Sequence, residues 1–464
     1  MDSTINDMEE VVKAILYRNR ELTRQVSALE AEIASLREQL SRYEAPRKDS
    51  HNSSIPPSQE PLTAKISRRT RSLRPGGERK SGGQQGHAGS TLQAMEPDAV
   101  VTHTPDYCVR CGLSLSEVAG RQWEVRQSVD IPLPVCPVAI NHVSMEKTCQ
   151  CGHCSRGEFP AHVKPGVSYG VNIHAVVAYL STVQHIPFKR LVETLKDLYG
   201  MEMSQGTVSN ILNRMRKQSG GAYEAIRETI GKSPVVGADE TGEHLDGRLH
   251  WMWTFQNAVA TYIFQHPSRG KAAIDTHYPG GLPGSILVTD RHRPYFNMEV
   301  GGHQICLAHL LRELIYLGEL DREQRWSPDL LALLKDSIDL RKNGMPGEID
   351  TGEIRRRFET LMEQDLSSLD KQYRTLQKGL IKHKEHLFVF LEHPDVPYEN
   401  NASERSIRPL KVKQKVSGMF KSDEGADAFC QLHSIVSTAR KNGQDPFRAL
   451  IAVAENVIAK TRAE

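Results

Sequence analysis

A chain of 464 residues with 59 Lys plus Arg against 57 Asp plus Glu is too long for one compact domain. It is also too evenly charged to hold nucleic acid by its overall field, so such affinity must come from local basic patches. The start, MDSTINDMEEVV, lacks a signal-peptide core, and no run nears the roughly 18 apolar residues of a membrane span, so the expectation is a cytoplasmic protein with no membrane partner.

Taken in chain order, the first element is a heptad seam. From Met8 to Tyr43 apolar residues recur at alternating spacings of four and three. Val12, Asn19, Val26, Ile33 and Leu40 fall at a, and Ile15, Leu22, Leu29 and Leu36 at d. β-Branched a over leucine d favours two parallel strands, and Asn19 satisfies its amide only against its own counterpart in register. Residues 1–45 are expected to be a parallel dimerising coiled coil; the alternative is an amphipathic helix folded on its own domain. Residues 46–96 lose periodicity and become rich in Ser, Pro, Gly and base, with nine Lys or Arg against three acids between Pro46 and Lys80. This reads as a basic flexible linker, either a solvated tether or an arm that tracks phosphates.

Six of the eight cysteines follow between Cys108 and Cys154, five of them in two clusters, Cys108-Val-Arg-Cys111 and Cys149-Gln-Cys151-Gly-His-Cys154. Without a secretion signal such crowding suits metal over disulfides. Four of these five thiols around a structural Zn²⁺ would let a thin segment fold, so residues 97–165 are expected to be a zinc module. Residues 166–232 turn helical. Pro187 to Lys217 reads as a helix, a turn at Tyr199-Gly200, and a second helix opened by Ser204 with Val208, Ile211, Leu212 and Met215 inward. That is helix-turn-helix-like, with Arg214 and Lys217 as DNA contacts, although helix pairs of this length also occur in ordinary α-rich domains.

Strand signals begin at Ser233. VVGADETGEHL, the dipeptide Asp246-Gly247 and RLHWMWTFQ predict a hairpin with a type I′ turn. ATYIFQH predicts a third strand, SRGKAAIDTHY a helix and GSILVTD a fourth strand. This order opens a ribonuclease-H-like α/β fold, expected over 233–300 and 398–430. Residues 301–397 read as a helical insertion and 431–464 as a C-terminal helical segment. The whole is a multidomain α/β chain: coiled coil, zinc module and helix-turn-helix-like domain, then the ribonuclease-H-like core.

Asp239 and Asp290 end apolar strand-like runs, and Glu404 lies in ENNASERSIR. Singly each is an ordinary turn former or, for Asn401-x-x-Glu404, a capping box. Converging, they would hold two Mg²⁺ (or Mn²⁺) ions for an in-line displacement at phosphorus, Asp239 bridging both. Arg405, Arg408, Lys411, Lys413 and Lys415 follow as a basic run suited to DNA phosphates. His303-x-x-Cys306-x-x-His309 is read on an apolar-faced helix, with Cys306 and His309 either buried and hydrogen-bonded or orienting the scissile strand.

These motifs resemble the DDE transposases of the insertion-sequence-sixty-six (IS66) family. The likeness spans nearly the whole chain: the heptad start, NSSIPPS, GGQQGHAG, the cysteine segment, GEFPAHVKPGVSYG, GADETG, LVTDRHRPYF, CLAHLLREL and NNASERSIRP. The resemblance implies a catalytic triad at Asp239, Asp290 and Glu404, a helical insertion before the Glu, and a Cys-x-x-His signature at Cys306 and His309. It implies cleavage at the inverted-repeat ends of a mobile element and joining of the 3′-hydroxyl to target DNA, with accessory proteins of the element as further partners. Arg291 departs from the glycine that often follows the second Asp, and Cys154 adds a thiol. Two other readings are a non-catalytic zinc-containing DNA-binding regulator and a nuclease of the same fold without strand transfer.

Overall fold

The structure, a computed structural model, describes residues 16–33, 35–36, 46, 48–49, 51–53, 95–122, 124–128, 135, 137–148, 150–151, 153–158, 168–344 and 351–460. The chain divides into two compact units. One comprises Met1–Arg69, Lys164–Pro187 and Ser209–Glu464, the other Thr70–Val163 and Phe188–Val208. In chain order, helix α1 covers residues 16–33, and strands β1 (Glu146–Thr148) and β2 (Cys154–Arg156) pair antiparallel. Helix α2 (Val171–Ala178) runs into a π-helical turn (Tyr179–Val183), and α3 (Phe188–Tyr199) and α4 (Gln205–Gly231) follow.

Along α1 the heptad positions Leu22, Val26, Leu29 and Ile33 lie exposed, while Met8, Val12, Ile15, Leu40 and Tyr43 fall outside the described residues. Ser204 Oγ accepts the Thr207 N–H at 3.1 Å, capping α4. Val208, Ile211, Leu212 and Met215 are buried as expected. The helix runs 27 residues, longer than a recognition helix, because its second half is a core helix of the larger unit: Tyr223 packs at a tilt against Tyr262, ring centres 4.6 Å apart, and donates to Ile263 O at 2.6 Å.

The larger unit is built on strands β3 (Val235–Leu245), β4 (Arg248–Gln256), β5 (Thr261–His266), β6 (Leu282–Thr289) and β7 (Val300–Ile305). Their order is β5-β4-β3-β6-β7. The first three form an antiparallel meander, and β6 and β7 run parallel to β3. Asp246 (φ 46) and Gly247 (φ 76) both take the positive φ of a type I′ turn. Met252, Trp253, Thr254 and Phe255 are all buried, so both faces of the sheet are covered. On one face Trp253 packs against Phe264 and Tyr295, near helix α5 (Lys271–His277) and the short α6 (Arg293–Phe296). On the other, Met252 and Ile263 pack against Ile407, Leu410, Phe429 and Cys430.

Strand β7 was not expected, and with it His303 moves from a helix into the sheet. VGGHQI carries little apolar signal, yet His303 and Gln304 are buried. They are satisfied by distant partners: His303 Nε2 meets Thr289 Oγ1 at 2.6 Å, and Gln304 bonds Leu387 O and the Phe390 N–H at 3.1 and 2.9 Å. After β7 the insertion comprises α7 (Leu307–Leu320), α8 (Trp326–Asn343), α9 (Thr351–Met362), α10 (Lys371–Lys382) and α11 (Val389–Glu392). Leu314, Trp326, Leu334, Phe358, Tyr373 and Phe388 form its core, continuous with Val288 and Ile305 of the sheet. The insertion opens and closes at one point: the Leu307 N–H donates to Tyr398 O at 2.8 Å, and the Asn400 N–H to Cys306 Sγ at 3.1 Å.

Helices α12 (Asn401–Ser417), α13 (Asp423–Lys441) and α14 (Pro446–Lys460) complete the unit. Edge strand β5 is protected by α13, where Ser434 Oγ accepts the Ile263 N–H at 2.9 Å and Thr438 Oγ1 accepts the Thr261 N–H at 3.1 Å. No described helix is long and apolar enough to cross a membrane.

In the smaller unit a tight turn places the Gly112 N–H on Cys108 O and the Cys108 N–H on Leu113 O, both at 2.8 Å. Here Val100, Val109, Leu113, Val125 and Val143 remain exposed.

Candidate active site

Two parallel strands bring the first two acids level. Gly237 pairs with Val288, so Asp239, in the middle of β3, and Asp290, just past the end of β6, each two residues further on, lie on adjacent strands whose axes run about 4.8 Å apart. Asp239 lies opposite Thr254, whose side chain shares the face of Met252, because successive side chains alternate across a strand. That is the face covered by α12, and Glu404 sits in the first turn of α12.

The fit of α12 against β3 is set by side chains the sequence reading did not single out. Asn400 Nδ2 donates to Ala238 O at 2.6 Å, immediately before Asp239. Ser403 Oγ donates to Asn400 Oδ1 at 2.6 Å and accepts from Gln256 Nε2 at 3.4 Å. All three crowd the space above Gly237, where a Cβ would stand 2.5 Å from Gln256 Nε2, 2.6 Å from Ser403 Oγ and 2.9 Å from Asn400 Oδ1. The capping-box reading of Asn401 and Glu404 is therefore corrected: Asn400 is the N-cap, no side chain caps the helix, and the segment docks on β3 instead.

The electrostatics follow from this crowding. Burial, then repulsion from Glu240, Asp290 and Glu404, pushes Asp239 well above the usual carboxylate range, although the Glu240 N–H bonded to it at 2.9 Å opposes the shift. Asp290 is raised by burial and by Glu240, and it accepts the His292 N–H at 2.9 Å. Glu404 Oε1 is buried without a hydrogen-bond partner; His309 Nε2 lies 3.4 Å away. Burial pushes His309 down to about 4, leaving a neutral ring. Cys306 is fully buried and its thiol is pushed up to about 11 by burial, so it serves as a neutral acceptor for the Asn400 N–H.

Among the described residues no three His, Cys, Asp or Glu are already gathered tightly enough to hold a metal ion. The donor set nevertheless fits a divalent cation. An orphaned carboxylate oxygen and mutually repelling acids are the arrangement that a bound cation would relieve.

Glu240 is the further acid at this centre. Opposite Trp253 in register, it faces the aromatic side, where Arg269 Nε and Nη2 donate to Oε1 at 3.0 and 2.9 Å and Tyr295 OH to Oε2 at 2.5 Å. Arg269 in turn lies over Trp251 at 4.5 Å. The Asp-Glu pair in GADETG was the only signal for it.

The basic residues differ in exposure and partners. Arg405, Arg408 and Lys415 are exposed, as are Arg214 and Lys217 on α4. Lys411 and Lys413 turn inward instead: Lys411 Nζ donates to Gly242 O at 2.9 Å, and Lys413 is buried over Phe429, with burial pushing it down to about 8. Both lie near Glu243, itself raised by burial to about 7.

The cysteine segment is partly formed. Backbone N–H groups of Arg110 and Cys111 and the Cys111 thiol hold Cys108 below the usual thiol range, which favours a thiolate ligand. Cys154 Sγ lies 3.3 Å from Thr148 Oγ1. Cys111, Cys151 and Cys154 are exposed and unpaired by disulfide, and Cys149 lies outside the described residues.

The sequence pattern of the Transposase IS66 family matches residues 166–428, more than half the chain. The chain belongs to the IS66 transposase family. That membership supports a transposase role in general and implies DNA binding and a divalent metal. Among relatives of this IS66-family chain, the uncharacterized protein y4hP of Sinorhizobium fredii (strain NBRC 101917 / NGR234) is 22% identical over 396 residues, covering 76% of this chain and 70% of its own. Uncharacterized protein y4jD of the same strain is 21% identical over 350 residues, covering 66% and 67%. Uncharacterized protein y4jO, also of that strain, is 34% identical over 170 residues, covering 35% and 50%.

Proposed function

We propose that this protein is a DDE transposase that cleaves DNA at the inverted-repeat ends of an insertion sequence and joins the freed 3′-hydroxyls to target DNA. The observation that supports this reading is the register of β3 and β6, which sets Asp239 and Asp290 on adjacent strands, together with the bond from Asn400 to Ala238 O, which docks the helix bearing Glu404 on β3. The strand order, an antiparallel meander followed by two parallel strands, supports a ribonuclease-H-like core.

Asp239, Asp290 and Glu404 would hold Mg²⁺ or Mn²⁺. When bound, a pair of such ions activates the attacking oxygen and stabilises the leaving oxygen of an in-line displacement. Asn400 and Ser403 fix the Glu404 helix to β3, and Cys306 ties the end of the insertion to the same residue. His309, neutral beside Glu404, adds no charge that competes for the carboxylate. Arg405, Arg408 and Lys415 present exposed cations on the Glu404 helix for DNA phosphates, and Arg214 and Lys217 do so on α4. Cys108, Cys111, Cys151 and Cys154, with Cys149 as the alternative fourth thiol, would hold a structural Zn²⁺. The exposed seam of Leu22, Val26, Leu29 and Ile33 suits a parallel dimer, and proteins encoded by the same element are further partners.

Purified protein with labelled element-end DNA and Mg²⁺ or Mn²⁺ tests the reading. Glu404→Gln should lose strand joining by a factor on the order of 10²–10³, the cost of removing a group that stabilises transition-state charge, while DNA binding persists. Equal joining by both proteins would reject the triad. A regulator would keep every activity after Asp239→Asn, and a nuclease would fail to join a supplied 3′-hydroxyl end.

A further inference from the structure

The stretch expected to be a free tether begins with a folded turn on the catalytic unit. Asp49 Oδ1 accepts the His51 and Asn52 N–H groups at 2.7 and 3.3 Å, and Asn52 Oδ1 accepts the Asp49 N–H at 2.9 Å. Asn52 Nδ2 then donates to Glu319 Oε2 on α7 at 2.7 Å. Asp49 and Asn52 are buried by this docking, and Lys48 Nζ lies 4.6 Å from the centre of the Tyr316 ring.

The docked turn makes one wall of a cleft of about 300 Å³ whose other walls include Arg291, His309, Glu313 and Gln372. Two features define what it can take. It adjoins the catalytic acids, since His309 faces the cleft and Glu404 alike and Arg291 directly follows Asp290. Apart from Tyr316 and Leu317 its lining is polar, with two cations from Lys48 and Arg291 against the single carboxylate of Glu313, which Arg291 already engages. A volume of this size fits a small ligand, and amides, a hydroxyl and excess positive charge suit sugar and phosphate rather than an apolar group.

We propose that this cleft binds one nucleotide of an unpaired DNA strand next to the phosphate being cut, with Lys48 contacting the backbone. The site rests on the reading of Asp239, Asp290 and Glu404 as the reaction centre. It gives the N-terminal turn a part in substrate binding and predicts a preference for DNA whose end is opened.

The test uses the full chain and two fluorescent probes in Ca²⁺, a forked duplex with unpaired arms and a blunt duplex of the same paired sequence. Lys48 is exposed, so Lys48→Glu should fold normally. It should weaken forked-duplex binding about tenfold, the worth of one charge-assisted contact, and change blunt-duplex binding by about twofold or less. A 4-thiothymidine in the unpaired arm should crosslink within residues 48–53 of the wild type. Equal loss on both probes, no loss on either, or crosslinks confined elsewhere would overturn the proposal. Asp239→Asn separates the two readings: it should abolish Mn²⁺-dependent cleavage yet retain the forked-over-blunt preference, so an active Asp239→Asn protein counts against the centre and a lost preference against the cleft.

Discussion

The sheet-bearing unit and the cysteine-bearing unit fold by different means. In the first, Trp253, Tyr262, Phe255, Tyr295 and Phe388 are almost wholly buried, and the buried Gln304 amide is satisfied by Leu387 and Phe390. In the second, Val100, Val109, Leu113, Val138 and Ile140 face solvent around two three-residue strands. A segment with so little buried apolar area needs a cross-link, a metal or a partner to repay its ordering entropy, and clustered thiols are the chemical means at hand.

The sharpest way to break this contrast is to remove metal. Structural zinc contributes about 10–16 kcal/mol in small zinc-folded peptides, so a chelator should make residues 97–165 open to protease while the fragment beginning near Ser209 resists. Simultaneous digestion of both, or of neither, would abolish the distinction. A smaller effect is expected from Gly237→Ala, which places a methyl against Asn400, Ser403 and Gln256. Overpacking of this kind costs about 1–3 kcal/mol; the Tm should fall modestly and DNA joining disproportionately, because the displaced group carries Glu404. Joining unchanged relative to wild type would show that α12 docks by other contacts.

The smallest effect concerns the core of the larger unit. His433 is fully buried, stacked on Phe429, and neither ring nitrogen has a hydrogen-bond partner. Burial pushes it down to about 3, and its neighbour His185 down to about 4. Because the folded state refuses a proton that the unfolded chain accepts below about pH 6.5, stability is lost as pH falls from there toward these values, at up to about 1.4 kcal/mol per pH unit for each histidine. Thermal melts from pH 7 to pH 5 should show that slope reduced in His433→Phe; an unchanged slope would assign the acid sensitivity elsewhere.

The meander, its Asp-Gly turn, the returning β6 strand and Asp290 at its end were legible because each is encoded in a few neighbouring residues; Asp239 ends the apolar run but not the strand, since β3 continues to Leu245. What escaped depends on partners far along the chain. β7 hides behind Gly301, Gly302, His303 and Gln304, and the burial of the last two is made tolerable by Thr289, Leu387 and Phe390. Glu240 was overshadowed by Asp239, since only the fold puts Arg269 and Tyr295 against it. Lys411 and Lys413 follow Glu404 in a basic run, and only the fold shows the bond of one to Gly242 O and the packing of the other on Phe429. Asn52 was read as linker because its anchor, Glu319, lies on a helix of the insertion.

The meeting of Cys306 with Asn400, and of Leu307 with Tyr398, has a consequence for how such a chain can change. A segment whose two ends are clasped together behaves as a closed loop hung from a fixed hook. Residues can be gained or lost within it at little entropic cost while the aspartate before the hook and the glutamate after it keep their mutual placement, so the reaction centre is insulated from the length of the helical module it carries.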